Sequence, residues 1–240
     1  MIPRFEAVFG AEKMGTMYGL IFDVDGLIAD TEPLNARVTI RVLADMFGLR
    51  GVKYEDFAAG YGKGAEAYVK AGARVHGLEL ADEQTHAAAE LRERYLVEAV
   101  RKEGLPAFPG VLSLIEDALK SNGSRLAIAT SATLELSEAI LTAVKVPYRR
   151  MVYVSGSDVT KKKPDPQIFL IAIQRLGIEA ARCVVFEDAP SGVQAAKSAG
   201  AKCVAVTNTV PAEQLCGADL ICDSLTEVSL SIVRGLADTP

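Results

Sequence analysis

The chain has 240 residues, of which half are hydrophobic and 24% charged, a globular composition far from that of a disordered chain. Its 26 Lys and Arg against 31 Asp and Glu leave a formal charge of −5, and without a long basic tract a nucleic-acid binder is excluded. Charges or prolines interrupt every apolar run before the roughly 18 residues that a membrane-spanning helix needs.

The first sixteen residues contain Arg4, Glu6, Glu12 and Lys13, which break any continuous apolar stretch of the kind a secretory signal carries. The segment reads as a short leading arm, or as an upstream start ahead of Met14 or Met17. Tyr18 to Phe22 then forms an apolar run ending abruptly at Asp23, and Asp23-Val24-Asp25-Gly26 follows it. Two carboxylates two residues apart at a strand end, with a glycine that permits a sharp turn, can converge on one point above a sheet. An acidic turn is the plainer alternative. A calcium loop of the Asp-x-Asp type is not, because Leu27, Ile28 and Ala29 stand where such a loop needs oxygen ligands.

Between Pro33 and about Pro106 no comparable strand-like run occurs. Leu34, Val38, Val42 and Met46 repeat at near-helical spacing, and Leu91, Tyr95 and Leu96 fall on another helical stripe. A helical module, 33–106, is therefore predicted as an insertion after the first strand. Its two histidines, His76 and His86, stand away from the acidic motif and read as surface or structural residues. Asp30-Thr31 is positioned to brace the hinge into the insert.

From residue 107 onward helical and apolar segments alternate. Helices are expected over Val111 to Lys120, Leu134 to Val144, Gln167 to Leu176 and Gly192 to Ala199. Asn122-Gly123, Gly177 and Gly200 supply glycine stops after three of them. Strands are expected over Arg125 to Ala129, Met151 to Val154, Cys183 to Phe186, Lys202 to Val206 and, more weakly, Asp219 to Cys222. Short, nearly continuous apolar runs alternating with helices indicate an α/β fold, a Rossmann-like doubly wound parallel sheet core with the helical module inserted. The core would comprise 1–32 and 107–240. Cys183, Cys203, Cys216 and Cys222 form no C-x-x-C pair, and Cys183 and Cys203 lie inside apolar runs. Buried, inert thiols in a reducing compartment, the cytoplasm, are expected.

Three more polar clusters close later strands. Thr130 and Ser131 follow Ala129 and offer hydroxyl and backbone donors, unless they cap the next helix. Lys163 lies in Lys161-Lys162-Lys163-Pro164-Asp165-Pro166, which by itself is a solvated charge run stiffened by prolines. Glu187-Asp188 ends the Cys183 to Phe186 strand and precedes Ala189-Pro190-Ser191-Gly192. Counted from Asp23 to Thr130, Lys163 and Asp188, the clusters are spaced by 107, 33 and 25 residues. In a parallel sheet all these strand ends face one way and meet in one cleft. Carboxylates there can hold a hard cation, and a lysine with hydroxyls can hold the oxygens of a phosphoryl group.

Asp23-Val24-Asp25-Gly26, Thr130-Ser131, Lys163-Pro164 with Pro166 and Phe169, and Phe186-Glu187-Asp188 with Ser191-Gly192 resemble, in order, the four motifs of the haloacid dehalogenase superfamily. The insert resembles the cap domain of the beta-phosphoglucomutase-like subgroup, which includes many sugar-phosphate phosphatases. The resemblance implies that Asp23 is a nucleophile forming an aspartyl-phosphate and Asp25 a general acid/base. It implies that Thr130, Ser131 and Lys163 bind the phosphoryl oxygens. Magnesium (Mg2+) would be held by Asp23, the backbone carbonyl of Asp25, and Asp188, with Glu187 as a further ligand or its hydrogen-bonding partner. Dehalogenases of the superfamily lack the second carboxylate and its ion pumps carry threonine there, so Asp25 disfavours both.

Gly60-Tyr61-Gly62-Lys63-Gly64 resembles the substrate-specificity loop of related caps, which makes Lys63 the candidate contact for a distal phosphate. Related mutases generally carry histidine ten residues after the second aspartate, where this chain has Asn35. Asparagine cannot exchange a proton, which favours hydrolysis. The resemblance thus implies a Mg2+-dependent phosphatase for a small phosphorylated metabolite, most simply a sugar phosphate. Its alternatives are a beta-phosphoglucomutase-type transfer and a catalytically silent phosphometabolite-binding protein. The sequence does not fix the oligomeric state, and a monomer is favoured.

Overall fold

The structure, a computed structural model, describes residues 17–60 and 64–239, so the leading segment with Met14 and the candidate Lys63 lie outside the described residues. The chain runs β1 (Tyr18–Phe22), α1 (Glu32–Phe47), α2 (Ala65–Val75), α3 (Asp82–Glu103), α4 (Val111–Lys120), β2 (Ser124–Ala129), α5 (Leu134–Ala143) and β3 (Val152–Val154). It continues through α6 (Gln167–Leu176), β4 (Cys183–Glu187), α7 (Pro190–Ser198), β5 (Lys202–Val206), β6 (Leu220–Cys222) and α8 (Leu230–Asp238). Every expected strand is present, and the six form one parallel sheet in the order β3-β2-β1-β4-β5-β6. This order reverses between β1 and β4, and open α/β sheets bind ligands in the crevice above such a switch point.

Both faces of the sheet are covered, which is why its strands read as apolar runs rather than as alternating patterns. Leu20, Phe22 and Ile128 pack with residues of α4, α5 and α8 on one face. Ile21, Ala127 and Val185 pack with α6 and α7 on the other. Phe22 and Phe186 are partners in the β1–β4 register, with rings stacked at 4.6 Å. This aromatic pair ties the ends of the two central strands together just before Asp23 and Glu187.

A third apolar cluster, built around Val42, Leu43, Phe57 and Val69, lies wholly within residues 36–95. Leu34 and Val38 of α1 and Leu96, Val97 and Val100 of α3 pack instead into the sheet's own cluster. The expected stripe on α1 is buried at Leu34, Val38 and Val42, whereas Met46, in the last turn, is 37% exposed.

Some details differ from expectation. α7 begins at Pro190 rather than Gly192, because a proline is tolerated in the first helical turn, where its missing N–H has no partner. Gly177 and Gly200 take the left-handed conformation (φ 66° and 79°), but Gly123 does not, and α4 stops on an extended Ser121. α2 and α8 had no clear signal: α2 buries Gly72 and Ala73 among its few core positions, and α8 buries only Val233 and Ala237. Cys183, Cys203 and Cys222 are buried, and burial pushes the Cys183 thiol up to about 12, away from thiolate reactivity. Cys216 is exposed, which corrects the expectation of inert buried thiols for that residue. No helix of the described residues is long and apolar enough to cross a membrane.

Candidate active site

Because Phe22 pairs with Phe186, Asp23 and Glu187 emerge level with each other at the carboxyl ends of the two central strands. The Asp23 N–H donates to the Phe186 carbonyl at 3.1 Å, which fixes where the chain leaves the sheet. Asp23, Glu187 and Asp188 are all buried, and each offers a carboxylate oxygen within 4.8 Å of the others. Into this group comes Lys163, from the loop after β3. Its ammonium lies 2.5 Å from Asp23 Oδ1 and also contacts Glu187 Oε1, with the side chain only 8% exposed. Lys161 and Lys162 remain exposed, so one lysine of the charge run is recruited and two are solvated.

Three carboxylates facing one ammonium carry more negative charge than a buried site tolerates. Burial, reinforced by the Glu187 charge and opposed by Lys163, pushes the Asp23 carboxyl up to about 8. Burial and the charges of Glu187 and Asp23 likewise hold Asp188 well above the usual carboxylate range. Burial works against the Lys163 ammonium, but the Asp23 and Glu187 carboxylates outweigh it and raise its pKa, so it stays charged. The excess charge must be met by protons or by a cation. An all-oxygen donor set of three close carboxylates fits a hard divalent ion.

This balance makes the stability of the metal-free protein depend on pH. The folded Asp23 pKa lies above its unfolded value of 3.8, so its stabilising contribution is complete at low pH and is lost as pH rises through about 8. Asp188 and Asp25 are raised in the same sense, and Lys163 remains protonated throughout this range. In chelator, the melting temperature is expected to fall from about pH 5 to about pH 8, with a hard divalent cation restoring it most at the upper end. Scanning calorimetry with and without an added divalent cation checks this; a flat profile in chelator contradicts it.

Asp25 stands apart from the acidic cluster. The turn after Asp23 closes through Ile28 N–H to Val24 O at 2.9 Å and Gly26 N–H to Ala29 O at 3.1 Å. The Asp25 Oδ1 atom accepts a 3.0 Å hydrogen bond from the Thr31 hydroxyl. Burial raises the Asp25 carboxyl, with that hydrogen bond and the charges of Arg92 and Lys163 opposing it. Gly26 is required on two counts: its φ is +78°, and a Cβ there would collide with Asp188 Oδ2. Gly192 has a related role at the start of α7, where any Cβ would run into the Glu187 carboxylate. Glu187 Oε2 accepts from the backbone N–H groups of Asp188 at 3.0 Å and Ala189 at 3.3 Å.

Thr130 ends β2, and the pairing of Phe22 with Ile128 sets it one residue beyond the level of Asp23 on the adjacent strand, about 5 Å to the side. Its N–H donates to Val154 O at 3.1 Å and its hydroxyl accepts from Ala132 N–H at 3.1 Å. Ser131 follows, half-buried. Neither residue caps the next helix, since Thr133 does so by accepting from Leu136 N–H. Lys163, Asp23, Glu187 and Asp188 are thus brought into direct contact or within reach of one ion, Thr130 follows the adjacent strand with Ser131 after it, and Asp25 is held by the hinge.

Several residues at the site had not been singled out by sequence. Arg92 of α3, buried, donates to Asn35 Oδ1 at 2.8 Å and to the Thr39 hydroxyl at 2.9 Å. Asn35 in turn reaches the Thr31 hydroxyl at 3.4 Å, so it belongs to a polar chain running from Asp25 into the insert. An arginine at helical spacing within the buried row Thr85, Ala88, Ala89, Arg92 and Leu96 was the available signal. Asn208 and Thr209, after β5, gave none. His76 pairs with Asp56 at 2.7 Å, and the exposed His86 lies 3.1 Å from Glu66; both contacts are within the insert.

Residues 20–206 match the model of the haloacid dehalogenase-like hydrolase family. Fructose-1-phosphate phosphatase YqaB of Escherichia coli is 36% identical over 78% of this chain and 95% of its own length. Protein SUPPRESSOR OF QUENCHING 1, chloroplastic, of Arabidopsis thaliana is 31% identical over 97% of this chain, which spans only 22% of that relative. A crystal structure of CbbY from Rhodobacter sphaeroides in complex with phosphate superposes with a TM-score of 0.74 at 28% identity, covering 88% of this chain and 96% of that one. With the six-stranded parallel sheet and a buried acidic cluster at its switch point, these similarities show that the chain belongs to the haloacid dehalogenase-like hydrolase family.

Proposed function

We propose that this protein is a Mg2+-dependent phosphatase that hydrolyses a small phosphorylated metabolite, a sugar phosphate, through an aspartyl-phosphate on Asp23. The observation that carries the reading is Lys163 joining Asp23 and Glu187 at the switch point, while Asp25, two residues on, is held separately by Thr31. A nucleophile and an acid/base need this separation. Fructose-1-phosphate phosphatase YqaB and the phosphate complex of CbbY support the substrate class. We assign residues 33–106 as a cap over a core of 1–32 and 107–240, and the cytoplasm as the site of action.

In this mechanism the carboxylates of Asp23, Glu187 and Asp188, with the backbone carbonyl of Asp25, would hold a magnesium ion. Such an ion would supply positive charge that lets one anion approach another. Lys163 and the Thr130–Ser131 turn orient the phosphoryl oxygens. An oxygen of Asp23 attacks phosphorus in line, the bond to the sugar oxygen breaks, and the Asp25 carboxyl gives that oxygen its proton. The Asp25 carboxylate then takes a proton from water as the water oxygen attacks phosphorus. The bond to Asp23 breaks, inorganic phosphate leaves, and both aspartates return to their starting states. Division into two steps suits a reaction whose catalysis can require accelerations of up to ~10²¹.

The test offers the purified protein with Mg2+ a panel of sugar phosphates, following phosphate release and isomer formation together. Phosphate released from one or a few monoesters is the expected outcome. Beta-glucose 1-phosphate primed with glucose 1,6-bisphosphate is included, and glucose 6-phosphate formed without phosphate release would show that Asn35 does not prevent transfer. No turnover of any ester would identify a silent binding protein.

A further inference from the structure

Glu187 is held by Lys163 and by two backbone N–H groups, and Asp23 is held by Lys163. Asp188 has no such support. Among the described residues, the only side chain that donates a hydrogen bond to its carboxylate is Thr209, whose hydroxyl meets Asp188 Oδ2. Thr209 belongs to none of the four motifs and lies on the three-residue arm that leaves β5.

That arm is fixed at both ends. Thr207 N–H donates to Cys222 O at 3.1 Å, and its hydroxyl donates to Asp223 Oδ1 at 2.8 Å, tying the arm's root to the end of β6. Asn208 Nδ2 donates to Gly26 O at 2.9 Å, tying the next residue to the turn that carries Asp23 and Asp25. Thr209 then closes over Asp188. The fit is tight, since a Cβ on Gly26 would lie 2.7 Å from Thr209 Oγ1 as well as against Asp188. The arm therefore registers the β1 turn against the β4 end, the two sides that the acidic cluster spans.

Thr209 is itself exposed, with its hydroxyl turned into a part-buried bond to Asp188. An exposed hydroxyl adds little to folding, but it can set the direction of a buried carboxylate. With Oδ2 accepting from the hydroxyl, the Asp188 carboxylate is fixed in one orientation within the cluster. We propose that Thr209 is a positioning residue for the cation site, orienting Asp188 for the ion while Thr207 and Asn208 hold the arm that carries it. This rests on the reading of Asp23, Glu187 and Asp188 as a divalent-cation site.

The experiment is calorimetric titration of the full chain with Mg2+, without substrate, alongside Thr209→Val and Thr209→Ser. Losing a partner of this kind typically costs 10- to 100-fold in metal affinity. Thr209→Val is expected to bind Mg2+ about 10-fold more weakly or worse, and Thr209→Ser to remain within about threefold of the parent. The melting temperature of Thr209→Val in chelator is expected to stay within a few degrees of the parent, as for an exposed substitution. Parent-like Mg2+ binding by Thr209→Val, or binding by Thr209→Ser as weak as that of Thr209→Val, overturns the role of the hydroxyl while the cation site stands. A parent protein that takes up no Mg2+ overturns the cation site and this proposal with it.

Discussion

Asp23→Asn is expected to remove turnover of any phosphate ester by more than about 10⁴-fold while leaving the protein folded. The amide oxygen is neutral and a poor nucleophile, so the first displacement has no attacking group. Folding survives because the substitution deletes one of three crowded carboxylates, and Lys163 keeps Glu187 as a partner. In chelator near pH 8 the variant is expected to melt no lower than the parent, since the group whose ionisation opposes folding there has gone. Initial rates of phosphate release and calorimetry give the two readouts. Turnover surviving at more than about a tenth of the parent rate would mean that Asp23 is not the nucleophile.

Lys163→Met has the largest expected effect on stability. The ammonium is buried and contacts two carboxylates, and removing one partner of a buried ion pair costs about 3–5 kcal/mol because the other charge is left uncompensated. For a chain of this size that corresponds to a fall in melting temperature on the order of 10 °C. The loss grows with rising pH, as Asp23 and Asp188 give up the protons that replaced the missing cation. With the proposed cation site, Mg2+ is expected to recover part of it. In the proposed mechanism, turnover is expected to fall by about 10²- to 10³-fold through loss of a donor to the phosphoryl oxygens. Lys163→Arg does not rescue either property, because the planar guanidinium cannot replace a compact ammonium in a space shared with Asp23, Glu187 and the Phe169 ring, whose centroid lies 4.9 Å away. Urea unfolding at about pH 6 and about pH 8 separates the pair's contribution from general repacking; equal losses at both would contradict the charge argument.

The hinge shows how a correct local observation can have a wider meaning in three dimensions. Asn35 drew attention through the absence of a histidine, and Thr31 through its place at the start of the insert. In the structure the two are joined, with Thr31 on Asp25 and Asn35 between Thr31 and Arg92. Arg92 lies 57 residues from Asn35 and belongs to another helix, and a single sequence contains no pattern linking the two. Thr209 was harder still. It is an exposed threonine after a strand, and its importance comes entirely from the carboxylate across the loop.

The sequence alone determined the elements and the ends at which chemistry could occur. Burial on both faces makes each parallel strand an uninterrupted apolar run, so β1, β4 and β5 were legible almost to the residue, and polar groups directly after them were visible as strand-end residues. Helices with a full apolar face were legible for the same reason, while α8, which buries only Val233 and Ala237, was not, and α2, which does bury Tyr68 and Val69, also gave no clear signal. Only the tertiary structure decided which strand lies beside which. Pairing is a contact between distant segments and leaves no period in the chain, yet the order β3-β2-β1-β4-β5-β6 is what brings Lys163 to Asp23 across 140 positions. It also decided which lysine of three is buried, which carboxylate stands apart from the acidic cluster, and which hydroxyl holds Asp188. A single hydrogen bond depends on two atoms meeting at about 3 Å, and that meeting is set by the packing of the whole sheet.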